Sequence, residues 1–108
     1  MTPAEFKCMR ESLGLSAKWL SERWGVALLS VQRWEKDRAL PGELEEDLLS
    51  IVDKAAETVA IGVEREDGSI EVPRTDACSL DGFPAAYHRA VAWEIARHTG
   101  AEIVYRAE

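Results

Sequence analysis

The chain has 108 residues, enough for one ordinary domain or for two small units that share a core. Apolar residues make up 46% and charged residues 31%, a composition that excludes a disordered chain. No apolar run approaches the roughly 20 residues that span a bilayer, and residues 1–10 lack the apolar stretch of a signal peptide. These features predict a cytoplasmic protein. The cysteines, Cys8 and Cys78, form no CxxC pair, which excludes a disulfide framework and a cysteine-based zinc site.

Charge is divided unevenly along the chain, and the net charge is −7. Residues 1–40 contain seven Lys and Arg against five Asp and Glu, whereas residues 41–108 contain six against fifteen. The N-terminal part is therefore basic and the remainder strongly acidic. This polarity fits a protein that places one end on a polyanion, so the acidic total does not exclude nucleic acid as a partner.

Three short helices are predicted in the first third of the chain. Residues 2–5 (TPAE) form a capping box with proline at the first helical position, and they predict a helix over about 3–13. Ser16 can cap a second helix, which Gly25 ends. A third helix is predicted from about Leu28 to Lys36. Two short helices on either side of so short a turn predict a helix–turn–helix.

A fourth helix is predicted after Pro41, with an acidic first turn that suits the helix dipole. Its apolar face is wide and typical of a helix that meets more than one neighbour. The pattern leaves the end of this helix open. Asp67-Gly68 is typical of a hairpin turn but equally of the stop of a helix running to about Arg65, and Gly62 weakens the helical alternative.

The last 40 residues predict a strand, a helix and a strand. Ser69–Pro73 alternates as a short strand, Pro84 opens a helix that Gly100 closes, and Ile103–Tyr105 forms a final strand. This order is a crossover unit, whose strands can pair in parallel. So small a unit cannot bury a sufficient core alone, which favours a two-fold dimer.

Residues 6–38, FKCMRESLGLSAKWLSERWGVALLSVQRWEKDR, resemble the Cro/lambda-repressor-type (XRE) helix–turn–helix family. The ending VQRWEKDR is similar to the close of that motif, except that Asp37 stands where the family usually has glycine. The resemblance implies a partly buried ion pair between Arg10 on the first helix and Glu35 on the third. The overall layout is similar to phage anti-CRISPR-associated autoregulators and small actinobacterial and phage regulators, which implies a long fourth helix and a C-terminal homodimer.

The expected fold is mainly α, a helix–turn–helix bundle of four to five helices followed by a small β-α-β dimerisation unit. The expected domains are 1–66, with DNA-binding function, and 67–108, with dimerisation function. We predict that the dimer contacts lie on the second unit. They are Tyr87, Val91, Trp93, Ile95, Ile103 and Tyr105.

In such a motif the helix over residues 28–36 enters the major groove, and its outward side chains read base edges. The expected base-reading residues are Leu28, Leu29, Gln32, Arg33 and Lys36. The expected phosphate contacts are Ser16, Lys18, Ser30 and Arg38. Arg23 is grouped with this basic surface. Leu28 and Leu29 are apolar where many family members carry polar side chains, so they either touch thymine methyls or one of them is buried.

Other chemistry is disfavoured. A metal site at His88, Glu94 and His98 lacks the HExxH spacing, and a surface pair between Glu94 and His98 explains the pattern better. Trp19 is a candidate for base stacking, but packing is the preferred interpretation. The sequence shows no nucleophile with a positioned base, so nothing in it indicates an enzyme. It also implies no cofactor.

The sequence therefore predicts a homodimeric, sequence-specific repressor of transcription that binds an inverted repeat of double-stranded DNA. The alternative is a protein-interaction module, such as an antitoxin, whose acidic C-terminal half binds a basic partner protein.

Overall fold

The computed structural model describes residues 1–107, which form a mainly α-helical fold with a small parallel sheet. The elements in chain order are α1 (Pro3–Ser12), α2 (Ala17–Trp24), α3 (Leu28–Lys36), α4 (Gly42–Arg65), β1 (Ser69–Val72), a short 3-10 helix (Asp76–Cys78), α5 (Ala85–Thr99) and β2 (Glu102–Tyr105). The five α-helices and the two strands begin and end within one or two residues of the predicted positions wherever the sequence predicts a boundary, a margin that helix fraying allows. The 3-10 helix Asp76–Cys78 lies in a segment without a predicted element.

The two N-terminal helices begin at the predicted caps. The Glu5 amide donates to Thr2 Oγ1 over 3.1 Å, and the Thr2 amide donates to Glu5 Oε1 over 2.8 Å, which completes the capping box of α1. Ser16 Oγ accepts from the Trp19 amide over 3.0 Å at the start of α2. These local bonds satisfy amides that no helical carbonyl can reach.

One hydrophobic core runs through both halves of the chain. Phe6, Leu20 and Leu48 are fully buried in the N-terminal bundle, and Phe83 and Tyr87 belong to the same cluster. Full burial of a side chain of this size contributes about 1.5–3 kcal/mol. The predicted units 1–66 and 67–108 therefore share a core, and their boundary falls at the end of α4.

The segment that the sequence left open is helical, because α4 continues to Arg65. Gly62, which had weakened that prediction, lies where α5 packs against α4. A Cβ atom at Gly62 would lie 2.5 Å from Ile95 Cδ1. The glycine thus permits a close approach between helices, and the hairpin alternative is wrong.

The strands β1 and β2 pair in parallel, as the crossover pattern predicts. Ile70 lies beside Ile103 and Val72 beside Tyr105. The helix α5 connects the two strands and contacts both of them. Within residues 1–107 the sheet has these two strands and no third.

Gly14 joins α1 to α2 under two constraints. Its φ is +68°, and an added Cβ would lie 2.3 Å from the Ala86 carbonyl oxygen at the start of α5. Gly25, in the turn between α2 and α3, has a similar φ of +65° with no atom within 4 Å of that position. The first glycine is therefore needed for conformation and for space, and the second for conformation alone.

Gly14→Ala should lower the free energy of unfolding by about 3 kcal/mol or more, since strain and a backbone clash add. Gly25→Ala is the matched control and should cost about 1–2 kcal/mol, the left-handed penalty alone. Urea denaturation of both variants gives the comparison. Equal losses would contradict the close packing of α5 on the turn after α1.

Candidate nucleic-acid interface

The helices α2 and α3 are joined by a turn over residues 25–27. Gly25 takes the left-handed conformation that ends α2, and the Val26 amide donates to the Ser21 carbonyl over 3.0 Å. Ser21 is buried, and its hydroxyl donates to the Lys18 carbonyl over 2.6 Å. Ser21 is therefore a small buried side chain whose hydroxyl has its hydrogen bond within α2.

The helix α3 has one buried face and one exposed face. Val31 is fully buried, and Trp34 and Glu35 are partly buried beside it. The exposed side chains follow at the spacing i, i+1, i+4, i+5 and i+8, which is one continuous stripe. They are Leu28, Leu29, Gln32, Arg33 and Lys36, the residues that the sequence predicts as base readers. Neither leucine is buried, because Leu28 is 41% exposed and Leu29 is 55% exposed.

An ion pair between Arg10 and Glu35 joins α1 to α3. Arg10 Nε donates to Glu35 Oε1, and Arg10 Nη1 donates to the Leu15 carbonyl over 2.9 Å. The side chains are only 13% and 12% exposed. One guanidinium thus connects α1, the loop before α2 and the inner face of α3, in the position that the family resemblance implied.

Replacing Arg10 should destabilise the fold strongly. Arg10→Met leaves the Glu35 carboxylate and the Leu15 carbonyl without their donor, and we expect a loss of about 2–4 kcal/mol in the free energy of unfolding. The double variant Arg10→Met with Glu35→Leu should recover part of that loss. Chemical denaturation measures both, with Lys7→Met, an exposed site on α1, as the control. A loss no larger than that of the control would show that the ion pair does not hold α3.

A second polar cluster attaches α2 to α4. Asp47 accepts from Arg23 Nε over 2.7 Å, from Arg23 Nη2 over 3.0 Å and from Trp24 Nε1 over 2.7 Å. The Arg23 guanidinium also lies 5.5 Å from the centre of the Trp19 ring. The grouping of Arg23 with the DNA-facing cations is therefore wrong, because this side chain is engaged within the fold. Asp47 belongs to the acidic start of α4 that the sequence predicts, but no local pattern shows which of these acids meets Arg23.

The hydrogen bonds from Arg23, with a smaller contribution from Trp24, hold the pKa of Asp47 below its ordinary value. A lowered pKa contributes stability that is complete above the unfolded-chain pKa and disappears as the pH falls through the folded-state value. Asp47→Asn should therefore cost about 1–2 kcal/mol at neutral pH, and the difference from the parent protein should shrink in acid. Denaturation at a series of pH values tests this, with the exposed Asp53→Asn as control. A difference that stays constant with pH would contradict the charged pair.

The predicted phosphate contacts lie around α2 and α3. Lys18 is exposed in the first turn of α2, Arg38 is exposed after α3, and Ser30 is partly buried. Ser16 is exposed as the cap of α2. In the part of the chain that the structure describes, no carboxylate lies within 4.0 Å of the charged groups of Lys18, Arg33, Lys36 or Arg38. These cations are free to meet an anion, in contrast to Arg10 and Arg23.

Trp19 packs within the fold, which confirms the interpretation preferred over base stacking. Its Nε1 donates to the Gly82 carbonyl over 3.2 Å, and its ring lies 5.3 Å from that of Phe83. This contact holds α2 against the loop before α5.

The histidines pair with acids on the surface. His98 Nε2 lies 3.5 Å from Glu94, the expected pair, and His88 Nε2 lies 2.9 Å from Asp81. Asp81 also accepts from the Phe83 amide and the Ser79 hydroxyl. Burial alone would raise the pKa of Asp81, but His88 and these donors outweigh it and lower the pKa. Across residues 1–107 no group of three or more His, Cys, Asp or Glu has an arrangement that could hold a metal ion.

The structure separates the six expected dimer residues into three pairs by their exposure. Tyr87 and Ile95 are 3% and 8% exposed and pack inside the chain itself, so their assignment to a dimer surface is wrong. Val91 and Ile103 are partly buried. Trp93 and Tyr105 are 62% and 50% exposed, which leaves two large aromatic side chains on the surface.

Comparison with known proteins does not assign the chain to a family. No protein-family model matches the chain, and no curated protein matches it in sequence. The resemblance of residues 6–38 to XRE regulators therefore depends on the residues themselves. Separately, no helix within residues 1–107 is long and apolar enough to cross a membrane.

Proposed function

We propose that the protein is a homodimeric, cytoplasmic regulator of transcription of the XRE type, which binds an inverted repeat of double-stranded DNA. By occupying its operator it excludes polymerase and represses transcription, including that of its own gene. The proposal requires neither a cofactor nor catalysis. Its DNA contacts come from α2, α3 and the segment directly after α3.

The exposed stripe of α3 carries this proposal. A nine-residue helix in a small protein gains stability from packing, yet α3 leaves two leucines in water beside Gln32, Arg33 and Lys36. The leucine side chains can contact thymine methyl groups, the Gln32 amide can form two hydrogen bonds with adenine, and the Arg33 guanidinium can do the same with guanine. One stripe with these chemistries is typical of a helix that lies in a major groove.

The distribution of charge also supports DNA binding through α3. The free cations Lys18, Arg33, Lys36 and Arg38 belong to the first 40 residues, whereas α4 carries an exposed acidic row on its outer side. This row comprises Glu46, Asp53, Glu57 and Glu64. DNA attracts the free cations and repels the acidic row, which favours an approach through α2 and α3. Exposed cations then fix the register through phosphates.

The decisive experiment is selection of duplexes from a randomised DNA pool, followed by affinity measurements on the selected sequence. An inverted repeat with half-sites about 34 Å apart is expected for a two-fold helix–turn–helix dimer. Arg33→Ala should cost about 1–3 kcal/mol and relax the choice of one base. Lys18→Ala should weaken binding to every sequence alike and reduce the salt slope by about 1.

Arg65→Ala is the matched control, because it removes an exposed positive charge from the far end of α4. It should leave the selected sequence and the salt slope unchanged. If Arg33→Ala and Lys18→Ala behave like this control, α3 is not the reading helix. Recovery of no enriched sequence would contradict sequence-specific binding.

A second candidate is an antitoxin-like interaction module, and a feature of α4 favours it. Besides its buried face, α4 presents a second apolar stripe at the spacing of three and four residues. The stripe comprises Leu49, Val52, Ala56, Val59 and Val63, of which Leu49 is 40% exposed. Its neighbours are the acidic row, so a basic partner with an apolar ridge would fit. Co-purification of a basic protein that is lost in Leu49→Glu would support this candidate over the first.

A further inference from the structure

The outer edge of β2 is an open row of backbone hydrogen-bonding groups. The amides of Glu102 and Arg106 donate to the carbonyls of Gly68 and Val72 over 3.1 and 2.8 Å, toward β1. Backbone orientation alternates along a strand, so Val104 also points toward β1, and Ile103 and Tyr105 point away from it. No third strand covers this edge within residues 1–107. The strand contains neither proline nor lysine, the residues that commonly protect an open edge.

We infer that a second copy of this chain pairs with this edge, with the two β2 strands antiparallel and Val104 on the two-fold axis. The dimer then has one four-stranded sheet in the order β1, β2, β2 of the partner subunit and β1 of the partner subunit. The inference rests on the proposed function only in assuming that the protein is a dimer. In this dimer the backbone edge of β2 forms the interface in place of Tyr87 and Ile95, which are buried in the monomer.

Backbone direction and charge together select this register. Only residues whose amides point outward can exchange hydrogen bonds across the axis, so Ile103 and Tyr105 must pair with Ile103 or Tyr105 of the partner subunit. Pairing Ile103 with the partner's Tyr105 satisfies both residues at once. The same register sets Glu102 against Arg106 of the partner subunit, on the sheet face that also carries Val104. Two opposite-charge pairs then flank a central valine pair, which makes the edge complementary to itself.

One exposed aromatic side chain, Tyr105, lies on β2 itself. Tyr105 and Arg89 line a groove with Val72 and Ile103, and Trp93 is one helical turn beyond Arg89 on α5. Pairing of the sheets brings the two copies of α5 onto one face, where Trp93 and Tyr105 become covered. The Arg74 guanidinium lies 4.1 Å from the centre of the Tyr105 ring, yet Tyr105 stays 50% exposed on the strand with the open edge.

A second copy fits this edge better than an unrelated strand does. A two-stranded sheet is too small to be stable by its own pairing. Pairing of two β2 strands across a two-fold axis gives a four-stranded sheet and needs no other part of the chain. Two-fold dimers are also the commonest protein oligomers.

Cross-linking tests the register directly. In a background with Cys8→Ser and Cys78→Ser, Val104→Cys should form a disulfide-linked dimer under mild oxidation, because residues at the two-fold position of a non-hydrogen-bonded pair lie about 4.5 Å apart at Cα. Ile103→Cys is the matched control. It should remain monomeric on a non-reducing gel, since its copies lie more than about 7 Å apart. Linking of Ile103→Cys without Val104→Cys would overturn the register, and linking of neither would overturn the interface.

Charge reversal provides an independent measurement by sedimentation velocity. Glu102→Arg should weaken the dimer roughly tenfold, because two attractive pairs become repulsive. Adding Arg106→Glu should restore dimerisation relative to either single variant, although Arg106 also donates to the Cys78 carbonyl. Glu71→Arg, on the same sheet face but on β1, is the control and should have little effect. An absence of recovery in the double variant would contradict the Glu102–Arg106 pairing.

The outcomes for DNA and for the interface are separable. If the parent protein selects an inverted repeat and sediments as a dimer, yet Val104→Cys does not link, the proposed function survives and the inference fails. If Val104→Cys links but no DNA sequence is enriched, the interface holds and the DNA-binding proposal fails.

Discussion

The arrangement of the N-terminal half depends on a single guanidinium. Arg10 bonds to the Glu35 carboxylate on α3 and to the Leu15 carbonyl before α2, so one side chain sets α1, α2 and α3 relative to one another. Both charged groups are largely withdrawn from water. A partly buried ion pair adds little net stability compared with apolar packing, but it tolerates few alternative geometries. Its main consequence is the fixed orientation of α3, whose outer face stays in solvent.

Other contacts hold the remaining side of the helix–turn–helix. Asp47 ties Arg23 and Trp24 to α4, and Trp19 packs on Phe83 in the loop before α5. The N-terminal arginines therefore divide into two classes. Arg10 and Arg23 are structural, whereas the cations of α3 and the segment after it have no carboxylate partner among residues 1–107. In the proposed DNA complex these cations would meet phosphates without first breaking an ion pair.

The C-terminal half contributes side chains to the same hydrophobic core. Two surfaces of the molecule have no partner within one copy of residues 1–107. Phe83 and Tyr87 complete the cluster that begins with Phe6, so residues after 66 are not a separately packed unit. Within residues 1–107 no third strand covers the edge of β2, and the apolar stripe of α4 is partly exposed, most of all at Leu49. The proposed dimer assigns the sheet edge to a second copy. The stripe of α4 then stays available to a partner of another kind.

Local patterns in the sequence determined the helices, their caps and the parallel strands, because capping, glycine stops and hydrophobic spacing act over a few residues. The exposed stripe of α3 followed from the same periodicity, and the Arg10–Glu35 pair from a family resemblance. Tertiary structure alone decided which charges pair: Asp47 rather than a neighbouring acid meets Arg23. It also decided that Gly62 admits Ile95 and that Tyr87 faces inward. These outcomes depend on how α4 and α5 pack, and long-range packing leaves no periodic trace in the sequence.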